Sequence, residues 1–102
     1  MGGGFVAVMV IDLHFPDAAS LKSKRKELAS IKAQLQGRLG VAVAETGHQD
    51  TWQRSTLTGA LTSGSLAALT AAVDNVERWL EARCPAGVRV ERLLASIEDL
   101  RQ

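Results

Sequence analysis

Residues 5–14 read Phe-Val-Ala-Val-Met-Val-Ile-Asp-Leu-His. The run is β-branched and apolar on both faces at first, then alternates, with Leu13 and Phe15 on one side and Asp12 and His14 on the other. Such a run predicts a central strand whose far end emerges into solvent. Pro16-Asp17 breaks it. Seven consecutive apolar residues, Phe5 to Ile11, are far short of the ~20 needed to span a bilayer. No basic segment precedes them, so a secretory leader is not expected. Val6 stands where a myristoylation signal wants Ser or Thr.

Outward from this strand the pattern changes period. Ser20 is a suitable N-cap, and Leu21, Leu28, Ile31, Leu35 and Leu39 fall in one arc at 3.6-residue spacing. They predict a helix of roughly 18 residues, about 27 Å long, ended by Gly37 and Gly40. Val41–Glu45 reads as a second strand, Thr46–Asp50 as a polar turn, and Thr51–Leu61 as a third strand pairing back in a hairpin. Gly59 within it marks a bulge or a close packing contact. Ser65 caps a second helix with a stripe of Leu66, Leu69, Val73, Val76 and Leu80, stopped by Pro85 and Gly87. Val88–Leu94 reads as a fourth strand at an edge, and residues 95–102 as the end of that strand or a short terminal helix.

The order β-α-β-β-α-β predicts an α+β, ferredoxin-like fold: a four-stranded antiparallel sheet with two helices on one face. At 102 residues the chain is expected to be a single domain over 1–102, with 1–4 flexible. The other sheet face is expected to be open, yet Val6, Val8 and Val10 would lie on it. An uncovered apolar face usually becomes an interface, so a homo-oligomer through Val6, Val8 and Val10 is expected, unless the N-terminus or a C-terminal helix covers them.

Charge is unevenly placed. The chain carries a formal net charge of +1, which is not the strongly basic balance of a dedicated nucleic-acid binder. Yet Ser20–Gly40 holds Lys22, Lys24, Arg25, Lys26, Lys32 and Arg38 against Glu27 alone, a segment of +5 in a chain whose remainder sums to −4. Lys22, Arg25, Lys26 and Lys32 share one flank of the helical wheel. Lys24 falls near the apolar arc and is expected to snorkel. A basic stripe on a rigid helix suits phosphate binding by counterion release; an ordinary solvated face is the plain alternative. The macrodipole disfavours cations in the first turns, so stability does not ask for them there.

Residues 45–54, Glu-Thr-Gly-His-Gln-Asp-Thr-Trp-Gln-Arg, gather polar groups in one turn. His48, Asp50, Trp52, Gln53 and Arg54 are therefore candidate contacts for RNA or another partner, beside Lys22, Lys24, Arg25, Lys26 and Lys32. His14, Glu45, His48 and Asp50 would be the donors of a metal or small-ligand enzyme, but His-x-Asp without H-x-x-x-H or C-x-x-C spacing is weak. No metal, cofactor, small-molecule substrate or catalytic residue is expected. The single cysteine, Cys84, cannot form an intramolecular disulfide, which fits a reducing, cytoplasmic setting. At a helix C-terminus it reads as a semi-buried hydrophobe, not a nucleophile. Gly59 and Gly64 share a phosphate-loop spacing, but Ser65-Leu66 follows them instead of Lys-Ser/Thr. The aromatic-rich third strand of the RNA-stacking sheet module is missing, so RNA would be bound by charge and not by stacking.

Ser20-Leu-Lys-Ser-Lys-Arg25, Val41-Ala-Val-Ala-Glu45 and Asp50-Thr-Trp-Gln53, in that order and spacing, closely resemble the YlxP-like family of small bacterial proteins. The resemblance covers nearly the whole chain. It implies a ferredoxin-like fold and no established activity or cofactor. Family members are often encoded beside translation-initiation and ribosome-maturation genes, which hints at RNA or the ribosome as partner. The family's signature falls here on Ser20, Leu21, Lys22, Lys24, Arg25, Glu45, Asp50, Trp52 and Gln53, and carries no assigned roles. The readings to be weighed are thus a non-catalytic accessory protein contacting structured RNA or the ribosome, a protein-interaction module using the open sheet face, and a small-ligand or metal enzyme.

Overall fold

A computed structural model describes residues 3–102. The elements run β1 (Phe5–His14), α1 (Leu21–Gly37), β2 (Ala42–Gly47), β3 (Arg54–Ser63), α2 (Leu66–Arg83), β4 (Val88–Ser96) and a short α3 (Ile97–Leu100). The four strands form one antiparallel sheet in the order β2-β3-β1-β4, the ferredoxin-like α+β arrangement with a terminal helical turn added.

Period-2 patterning sets the layers. Ala7, Met9, Ile11 and Leu13 are fully buried and pack with Leu28, Ile31 and Leu35 of α1 and Leu69, Val73, Val76 and Leu80 of α2. Both helices therefore cover one face. The intervening Val6, Val8 and Val10 are half-buried on the other.

Both long helices begin where serine is available as a cap. Ser20 Oγ accepts from the Ser23 N–H and Ser23 Oγ accepts in return from the Ser20 N–H, a reciprocal capping box. Ser65 Oγ accepts from the Ala68 N–H. After α1 the chain reverses through Gly40, whose φ of +69° is costly for other residues. Gly59 marks close packing and not a bulge: a Cβ there would stand 2.9 Å from Val41 Cγ1. The sheet's irregularity lies instead between Glu45 and Gly47.

Several boundaries differ from the sequence reading: β2 is Ala42–Gly47 and not Val41–Glu45, and β3 runs on past Leu61 to Ser63. β3 begins at Arg54, not Thr51, because residues 48–53 are used in a longer connection. β4 continues to Ser96, where a second capping box, Ser96 with Asp99, starts α3. The flexible segment expected over 1–4 falls partly on Met1 and Gly2, outside the described residues, while the Gly4 carbonyl accepts from the Ile97 N–H at 2.9 Å. Edge strand β4 is anchored by Arg92, whose guanidinium meets Asp74 at 2.8 Å and Glu77 at 2.9 Å on α2. Those partners, the Asp74 hydrogen bond foremost, raise its pKa further. Among the described residues no helix is long and apolar enough to cross a membrane.

Candidate nucleic-acid interface

The antiparallel topology brings the start of α1, the β1–α1 loop, the β2–β3 turn and the α2–β4 loop to one end of the molecule. Backbone bonds join them. The Phe15 N–H donates to the Gln53 carbonyl at 2.8 Å, and the His14 N–H to the Gly87 carbonyl at 3.2 Å. Gln53 Nε2 also reaches the Pro16 carbonyl at 3.4 Å. Gln53 is thus tied to its own protein as well as exposed.

Lys24 organises the turn. Its side chain is fully buried, and its ammonium donates to the His48 carbonyl at 2.7 Å and the Gln49 carbonyl at 3.4 Å. It stands 3.3 Å from Glu45 Oε2 on β2. Three acceptors for three N–H donors satisfy the buried charge. Glu45 Oε2 is further fixed by a 2.8 Å hydrogen bond from Ser55 Oγ on β3. The expectation that Lys24 snorkels outward to contact RNA is corrected: it lies beneath the turn and presents no charge to a phosphate. The apolar arc carries its stem inward, and Glu45 with the 48–49 carbonyls supplies what its head needs.

The pinned turn is unusual in its backbone. His48 has φ of +58°, an uncommon left-handed conformation for a residue other than glycine, and its carbonyl takes both the Lys24 ammonium and the Thr51 N–H. The His48, Asp50 and Arg54 side chains are exposed, and Trp52 is 48% exposed. The tether from Lys24 to His48 places this turn beside the N-terminal turns of α1.

The remaining cations of α1 have a different fate. Lys22, Arg25 and Lys26 are exposed and Lys32 half-buried. None of the four forms an ion pair among the described residues. The helix's single acid, Glu27, lies on the opposite flank and meets Arg83 of α2 at 3.5 Å.

Other candidates do not assemble. Among the described residues no group of three or more His, Cys, Asp or Glu could hold a metal, and Glu45 is committed to Lys24 and Ser55. Cys84 is buried, and burial raises its thiol pKa, against a lowering effect of Arg83. A shallow cleft beside it is lined by His14, Phe15, Asp17, Glu27 and Arg83, where the only facing charges close to each other are the Glu27–Arg83 pair. The aromatic rings give the open sheet face no stacking platform: Phe15 is in the core, and Phe5 and Trp79 pack against it. Sequence reasoning missed Glu45 as the partner of Lys24 and Ser55 as the residue that fixes Glu45. A lysine on an apolar arc was the signal that an acid must come to meet it.

The family described as "Protein of unknown function (DUF503)" matches residues 6–93, most of the chain. The chain belongs to the DUF503 family. It is 45% identical over 49 residues to "Uncharacterized protein YlxP" of Bacillus subtilis, a match taking in 48% of this chain and 53% of that relative. The aligned part thus spans about half the length of the curated relative. Solved structures share the fold at low identity. A designed protein, Foldit4, superposes with a TM-score of 0.57 at 11% identity, over 90% of this chain and 96% of that one. The NE2512 protein of unknown function from Nitrosomonas europaea gives 0.53 at 14% identity, over 93% and 92%. Such likeness extends to the fold alone.

Proposed function

We propose that this DUF503 member is a non-catalytic accessory protein that binds structured RNA, with ribosomal RNA the first candidate, through the outer flank of α1 formed by Lys22, Arg25, Lys26 and Lys32. The pinned turn, with His48, Trp52 and Arg54, borders that flank. One observation carries the reading. Lys24, Arg83 and Arg92 are paired with acids of the fold. Arg38, Arg54, Arg78 and Arg89 form no ion pair among the described residues either, but the outer flank of α1 sets four such cations on one side of one helix, Lys22 in the first turn where the macrodipole disfavours it. The company kept by the family's genes, as the resemblance implies, points the same way.

Four phosphate contacts have a measurable signature. Binding to duplex RNA by charge neutralisation falls with salt, and four contacts give a slope of log affinity on log salt of about −3 to −4. Co-sedimentation with purified ribosomal subunits across a salt series should show this decline. Absence of binding at the lowest salt, or binding indifferent to salt, would overturn the assignment.

A further inference from the structure

The sheet face away from the helices mixes alanines, valines and Leu93 with threonines, and it is graded in height across its middle. One cross-strand row runs Ala42, Ala60, Val8, Leu93 from the β2 edge to the β4 edge, and the next runs Ala44, Thr58, Val10, Glu91. In both rows the side chains grow from one edge to the other. These two rows make a wedge, low along β2 and tall along β4; the flanking rows carry Thr62, Val6 and Ala95 at one end and Thr56, Asp12 and Arg89 at the other. Leu93 is 54% exposed, so neither α3 nor the described N-terminal residues cover it. Asp99 of α3 instead shares a cleft with Leu66 and Thr70 of α2.

A wedge is complementary to itself in only one kind of face-to-face pairing. A two-fold axis along the strands, between β3 and β1, lays β4 of each copy over β2 of the other, so tall meets low in both of these rows. Leu93 then sits on the partner copy's Ala42 shelf, and Val8 on its Ala60. An axis across the strands would set β4 on β4 and alanines on alanines, leaving a gap along one edge that close packing does not tolerate.

We propose that the chain forms a homodimer through this face, β4 of each copy on β2 of the other, making a four-layer helix-sheet-sheet-helix body. Strands of 10, 6, 10 and 9 residues offer about 550 Å² per copy, and a pair therefore reaches about 1,100 Å², above the ~1,000 Å² a specific interface should clear. Glu91 and Arg89 sit on the outer strand β4, where a polar rim belongs. Aligned sheet packing accommodates the twist of both sheets. Both copies' basic α1 flanks stay outside, so this pairing does not rest on the RNA reading and is measured without RNA.

Sedimentation equilibrium at micromolar concentration should give twice the 10.9 kDa chain mass, and Leu93→Glu should return it to that of one chain while the circular dichroism spectrum is kept. The arrangement is read by cysteine pairs in a Cys84→Ser background. Leu93 and Ala42 occupy opposite edges of one sheet, about 14 Å apart, beyond the reach of an intrachain disulfide, whereas two facing sheets can be bridged as in β-sandwiches. Mild oxidation of Leu93→Cys/Ala42→Cys should give a covalent dimer, and neither single substitution should. A monomeric parent, a dimer untouched by Leu93→Glu, a double variant that stays uncrosslinked, or efficient crosslinking of Leu93→Cys alone overturns the proposal.

Discussion

Lys24 and its neighbours Lys22, Arg25 and Lys26 share one stretch of one helix, yet the fold uses them oppositely. Lys24 points inward, fully buried, and its ammonium holds the 48–49 carbonyls and Glu45. Its neighbours are exposed and form no ion pair among the described residues. The lesson is that a run of basic residues is not one feature. The inner cation fixes the shape of the turn beside the helix. The outer ones are left exposed beside that turn, and it is these that the proposed function assigns to a partner.

The sharpest way to break this contrast is Lys24→Met. Removing one partner of a buried pair costs about 3 kcal/mol, the low end because Glu45 is partly exposed. In a domain of this size that lowers the melting temperature by on the order of 15 °C. A melt unchanged from the parent would mean that the ammonium does no structural work. The outer flank should respond in the reverse sense. Lys22→Ala removes a cation from the first turn of α1 and should stabilise by about 0.3–1 kcal/mol, a rise of a few degrees in a thermal melt. A clear loss of stability would place Lys22 with Lys24 among the structural charges.

The smallest effect concerns the buried side again. Burial raises the Cys84 thiol above its ordinary value. The stability that goes with its protonated form is therefore complete below the unfolded thiol's pKa, about 8.5, and is lost as pH rises toward the folded value. Melts between about pH 8 and 9.5 should fall more steeply for the parent than for Cys84→Ala. Parallel slopes would contradict this.

Most of the fold is legible in the sequence because it is written in local chemistry. The two-faced apolar run of β1, the capping serines Ser20 and Ser65, and the α2 stripe each name their element without reference to the rest. The turn was legible as far as Asp50 and not beyond. Thr51, Trp52 and Gln53 read as strand because Thr and Trp favour extended backbone, but the start of β3 is set by bonds from elsewhere: Lys24 to His48, and Phe15 to Gln53. The same tertiary source hid the role of Lys24. Its place on the wheel announced an inward stem, and only the folding of β2 beneath α1 brings Glu45 within 3.3 Å of it. Lys22, Arg25 and Lys26 were legible as a flank, since a helix fixes which residues share a side. The wheel set Lys24 apart from that flank, but nothing local showed that its ammonium ends inside the protein.

The proposed function requires that the outer cations of α1 serve a partner and not the fold. It is tested most directly by measuring the affinity of Lys22→Glu/Arg25→Glu for ribosomal subunits at low salt, alongside its melting temperature. The expected result is loss of binding, with the melting temperature equal to the parent's or higher. Binding at parental affinity by a fully folded variant would contradict the claim.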